Sequence, residues 1–161
     1  MSIKINYSNK STSKSSINLV LFVNQNFNIS GLKKIISDNE FSYISDLLKT
    51  SDLKKNLLFF KVSSKKTVFL VSIKTDIKIS DIENLGAKFH SYINYDKKKE
   101  YFVNSDTINN KIKNFVGYFL HGLKLKSYEF NIYKSKKNKN NVSVNVIGNK
   151  NKISTQDHLR F

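Results

Sequence analysis

At 161 residues the chain suits one domain, able to bury roughly 70% of its unfolded surface, and its 39% hydrophobic content, with 12 Phe and 8 Tyr, supplies a core. Having no Cys excludes disulfides, thiolate metal ligands and a Cys nucleophile, as suits a reducing cytoplasm; no apolar run approaches the roughly 18 residues of a membrane span, and residues 1–16 lack the apolar stretch of a secretory signal. The net charge of +16 invites polyanions, yet Arg160 is the one arginine among 28 basic residues, so the guanidinium fork that reads guanine and clamps phosphate is nearly missing. A cytoplasmic location, no membrane partner and at most nonspecific attraction to DNA are the expectations.

Residues 3–7 alternate as an edge strand does, and the polar stretch 8–16 follows as a loop. Residues 17–23 are nearly continuously apolar, the pattern of a strand covered on both faces. One helical turn is expected over 31–37, with Leu32, Ile35 and Ile36 inward. Ser37 and Asp38 then cap a helix whose inner face is Phe41, Ile44, Leu47 and Leu48. Strands over 57–62 and 67–73 are joined by a short polar link, which predicts an antiparallel hairpin. Ser80 and Glu83 have the spacing of a capping box, ahead of Ile82, Leu85, Phe89 and Ile93 at helical steps. Gly86 within that helix is costly unless a neighbouring element packs close against it.

A short strand at 101–103 precedes the clearest helical stripe: Ile108, Ile112, Phe115, Val116, Phe119, Leu120 and Leu123. Residues 135–141 form a Lys/Asn-rich turn, and 142–147 alternate as a strand with one wetter face. Ser154 to Asp157 resemble the cap of a further helix, and the chain stops at Phe161. Strands alternating with amphipathic helices predict an α/β layered fold, its sheet mixed because of the hairpin.

Catalytic signatures are missing from this pattern. His90 and His121 sit in helical stretches without a zinc-helix partner on the same helix, and His158 lies in the incomplete last one. The twelve carboxylates are scattered, the glycines form no phosphate-cradling loop, and there is no nucleophile elbow. No catalytic, metal or cofactor-binding residue is therefore assigned. The stretch 119–137 interleaves Tyr128, Phe130 and Tyr133 with lysines; its structural reading is an anchored helix end, and its functional alternative is a single-strand nucleic-acid surface with Lys134, Lys136 and Lys137 as contacts.

That same stretch carries a family resemblance. Gly122, Tyr128, Phe130, Tyr133 and the Lys134-Ser135-Lys136-Lys137 run resemble the end of the long helix in the amino-terminal domain of leucyl aminopeptidases, and the order of elements agrees along nearly the whole chain. Glu129 stands where that family commonly has Arg, and residues 123–126 are bulkier than usual. The resemblance implies a macro-domain-like fold over 1–152, with 153–161 starting a linker helix toward a catalytic domain. It implies hexamers, and a metallo-exopeptidase that removes amino-terminal residues with two divalent metals, zinc or manganese, held in that other domain. The metal-binding Asn-Thr-Asp-Ala-Glu-Gly-Arg run is not in this sequence. The expected role is thus a non-catalytic front domain, a fragment of such an enzyme, acting in assembly or regulation; the alternative is a stand-alone basic nucleic-acid-binding module. A macro-type ligand domain is disfavoured by the lack of a Gly-rich phosphate loop, and calorimetry with ADP-ribose tests it.

Overall fold

The computed structural model describes residues 3–7, 18–63, 66–93, 100–108, 114–133 and 142–147. Six strands, β1 (Ile3–Tyr7), β2 (Asn18–Asn24), β3 (Leu57–Lys61), β4 (Thr67–Ile73), β5 (Glu100–Asn104) and β6 (Val142–Ile147), alternate with α1 (Asp38–Leu48), α2 (Ile79–His90) and α3 (Phe115–Tyr133). They form one sheet in the order β1-β6-β5-β2-β4-β3. Every neighbouring pair is parallel except β3 and β4, the antiparallel hairpin that the short polar link predicts.

β2 is buried from Asn18 to Val23 because both its faces are covered. Val20 and Phe22 join Phe69 and Val71 of β4 beneath α2 and α3. Leu19, Leu21 and Val23 join Val68 and Leu70 beneath α1 and the segment leading to it. The alternation of a strand thus feeds two separate cores, one on each side of the sheet.

On the first side α2 and α3 touch through backbone. A Cβ on Gly86 would fall on the Phe119 carbonyl oxygen, and a Cβ on Gly122 would fall on the Glu83 carbonyl oxygen. Glycine in a helix costs about 1 kcal/mol; here it is what lets the axes approach, which fulfils the condition placed on Gly86. Phe22 meets Phe115 and Phe119 edge-on at 5.7 and 5.4 Å, and Phe89 meets Phe69 and Tyr101 at 5.4 and 5.6 Å.

On the second side α1 begins with a complete capping box. The Glu40 amide donates to Ser37 Oγ at 3.2 Å, and the Ser37 amide donates to Glu40 Oε1 at 3.0 Å. Lys66, from the β3–β4 turn, binds Glu40 at 3.0 Å and so ties the hairpin to the helix start. The turn predicted over 31–37 is a short 3-10 helix at Ser30–Leu32, and Leu32 and Ile36 are buried as expected.

Two local expectations are corrected. Ser80 and Glu83 do not cap α2: the helix starts earlier, and Asp81 Oδ2 accepts from the Lys78 amide at 3.1 Å, which leaves Ser80 inside the first turn. The apolar stripe that begins at Ile108 is not one helix. Ile108 ends a 3-10 turn in an extended conformation, Asn114 is left-handed at φ 62, and α3 starts at Phe115. Ile108 is buried, as its place in the stripe implies, but ahead of the helix, and Ile112 lies outside the described residues. Residues 148–161, with the expected linker helix, lie outside the described residues.

Candidate functional site

β2 is the central strand at which the chain changes direction across the sheet, and α/β sheets open a crevice at such points beyond the carboxyl ends of their strands. Here β5 pairs with β2 through Leu19 with Phe102 and Val20 with Val103. Past Asn104 the chain leaves the sheet in a 3-10 turn, and two hydroxyls take over its ladder. Thr107 Oγ1 accepts from the Phe22 amide at 2.9 Å while donating to the Asn104 carbonyl at 2.7 Å. Ser105 Oγ donates to the Ile147 carbonyl of β6 at 2.8 Å. The sheet is wedged open at its carboxyl end without leaving those backbone groups unpaired.

The opposite wall is the loop after β2. Asn24 Oδ1 accepts from the amides of Asn26 and Asn28 at 3.1 and 3.0 Å, and Asn28 Oδ1 accepts from the Ser30 amide at 3.0 Å. These bonds hold a turn in which Phe27 is left-handed at φ 54, a strained conformation for a bulky residue, with its ring buried in the second core. Between the walls lies a cleft of about 400 Å³, lined by Asn24, Asn28, Ser30, Gly31, Lys74, Thr75, Asp106 and Thr107 over an apolar floor that includes Phe22 and Ile73. Its charged side chains are Lys74 and Asp106, both exposed. Such a lining offers hydrogen-bonding groups to a small polar molecule. A smaller hollow of about 220 Å³ adjoins the start of α2, where Asp81 serves as the cap.

The histidines fall elsewhere. His90 is buried at the end of α2, where burial first and the Lys126 charge second hold its imidazole below the usual value. His121 on α3 meets Glu83 on α2, Nδ1 to Oε2 at 3.2 Å, beside the Gly86–Gly122 crossing. No spacing in the sequence signals that pair, because its members are 38 residues apart on different helices. His158 and the candidate contacts Lys134, Lys136 and Lys137 lie outside the described residues. Among the described residues, no three His, Cys, Asp or Glu side chains gather in a metal-holding group, and no helix is long and apolar enough to cross a membrane.

No protein-family model matches the sequence, and no curated protein matches it. Solved structures do. A tomato leucine aminopeptidase mutant matches with a TM-score of 0.64 at 12% identity, over 98% of this chain and 34% of that one. The fold is macrodomain-like. The macrodomain of Thermus aquaticus DarG matches with a TM-score of 0.58 at 10% identity, over 91% of this chain and 99% of that macrodomain. This chain spans about a third of the aminopeptidase, in its amino-terminal region, and at these identities the likeness is one of fold.

Proposed function

We propose that this chain is a non-catalytic front domain of the leucine aminopeptidase type, acting in the assembly or regulation of a metallo-exopeptidase. The supporting observation is the extent of the match: 98% of the chain follows the aminopeptidase fold. On this reading the two divalent metals, zinc or manganese, and the hydrolytic chemistry belong to a separate catalytic domain. On the same reading the protein joins a homo-oligomer, a hexamer.

Three measurements test it. The purified chain should not hydrolyse a leucine amide with added manganese; robust metal-dependent turnover would overturn the non-catalytic assignment. Light scattering should show a concentration-dependent oligomer, and a monomer at every concentration would remove the assembly role. The DNA beyond the Phe161 codon should encode, in frame or adjacent, a domain bearing the metal-binding run; its absence there removes the link to an exopeptidase.

The net charge of +16 favours a second reading, a basic module that binds nucleic acid. Titrations of single- and double-stranded DNA at several salt concentrations separate the two. Affinity that persists at physiological salt and drops when Lys134, Lys136 and Lys137 are replaced by alanine supports it. Affinity that vanishes there, with no effect of those replacements, rules it out.

A further inference from the structure

β3 is the antiparallel edge of the sheet, and its hydrogen-bond phase defines what its outer side offers. The Ser72 amide donates to the Asn56 carbonyl at 2.8 Å, and the Val62 amide donates to the Lys66 carbonyl at 3.1 Å. With Leu58 opposite Leu70 and Phe60 opposite Val68, the even-numbered residues of β3 are the ones that bond to β4. Leu57, Phe59 and Lys61 therefore turn their N–H and C=O groups away from the sheet. Among the described residues no strand pairs with that side.

The side chains of this edge are unlike those of a protected one. Native edges are commonly blunted by proline, bulges or central charges. β3 has none at its centre: Phe59 is 54% exposed there, its ring tilted against Tyr92 at 5.4 Å and against Phe69, its cross-strand partner on β4, at 6.1 Å. Charge collects around this aromatic platform. Residues 53–67 hold five lysines and no carboxylate. Lys66 is engaged by Glu40, whereas Lys54, Lys55 and Lys61 are exposed, and Lys61 shares the sheet face of Phe59.

We propose that the free edge of β3 binds an extended acidic peptide segment by strand addition, its backbone pairing with Leu57, Phe59 and Lys61. An apolar side chain of the peptide lies over Phe59, and carboxylates two residues away meet Lys61 and the lysines before the strand. A second copy of this chain fits less well, because a two-fold pairing lays one lysine-rich run against another, and like charges set opposite each other weaken a strand pair.

The test uses a labelled seven-residue peptide with isoleucine at its fourth position, glutamate at its second and sixth and threonine elsewhere, so that the three share one face, followed by titration and by amide hydrogen exchange of the full chain. Binding should slow exchange at the amides of Leu57, Phe59 and Lys61. A peptide N-methylated along its pairing edge should lose at least about tenfold in affinity, as the loss of one or more backbone bonds predicts. Phe59→Pro should lose as much while the fold persists, because that amide gives no bond to β4; Phe59→Glu, which leaves the backbone intact but removes the ring and repels the acidic peptide, is the second variant and should also weaken binding. Binding without protection of those three amides, an N-methylated peptide that binds equally, or no binding at millimolar peptide would each overturn the proposal. So would protection of the three amides that rises with protein concentration and no peptide, which would mark a second copy as the occupant.

Discussion

The two faces of the sheet are closed by different means. Under α2 and α3 the closure is backbone against backbone at Gly86 and Gly122, above a run of edge-to-face rings. Under α1 one side chain of the helix, Ile44, is fully buried, and the helix is held by its capping box and the Lys66–Glu40 ion pair. The first face has no slack for an added atom; the second depends on polar groups at its rim. The cleft opens along the second face, beside the loop that leads into α1, so the opening and the less tightly packed helix lie together.

Substitutions can break this contrast in order of expected size. Gly122→Ala should be the most damaging, on the order of 4 kcal/mol and at the exceptional end for one methyl group, because the obstacle is the Glu83 carbonyl and not a movable side chain. A urea melt showing less than about 1 kcal/mol of loss would mean that the helices separate easily and that the faces are alike. Ile44→Ala should cost about 3 kcal/mol as a large-to-small change in a closed core; near-zero cost would show that α1 contributes little to the second core. Ser37→Ala should cost about 1 kcal/mol by removing the acceptor for the Glu40 amide, with no loss at all arguing that the ion pair alone positions the helix.

The smallest effect is one of pH, and it belongs to the first face. Burial, then the Lys126 charge, hold His90 below 6.5 in the folded chain. The unfolded chain therefore takes up a proton first. The contribution of His90 is complete above pH 6.5 and is lost as pH falls toward its folded value. Urea midpoints measured from pH 7.5 down should decline, and His90→Asn should flatten the decline; an unchanged slope in that variant would place the titrating group elsewhere. On the second face the sign follows a carboxylate. Burial raises Glu40, but the Ser37 amide and Lys66 outweigh it and bring it below 4.5, so its support is kept above that value and lost in acid.

Much of this architecture was readable in order along the chain. The doubly covered β2, the β3–β4 hairpin and the Ser37 cap follow from a nearly continuous apolar run, a short polar link and a Ser-Asp helix start, all of which act within a few residues. The boundaries failed where local patterns ran past a structural break: at Ile108, buried in a loop ahead of α3, and at Ser80, which lies inside a helix capped by Asp81. Of the candidate site almost nothing was legible. Asn24, Asn28, Lys74, Asp106 and Thr107 carry no motif and meet because three strands end together.

By itself the sequence determined the order and type of the strands and helices and which sides of them turn inward, since side-chain periodicity is a property of the local backbone. It also imposed the condition at Gly86, a residue tolerable in a helix only under close approach. The tertiary structure alone decided the strand order, the meeting of Glu83 with His121, the Thr107 hydroxyl that binds the Phe22 amide past the end of β5, and the outward phase of Leu57, Phe59 and Lys61. Each joins groups far apart in the chain, and such contacts depend on how whole elements stack, which no local spacing encodes.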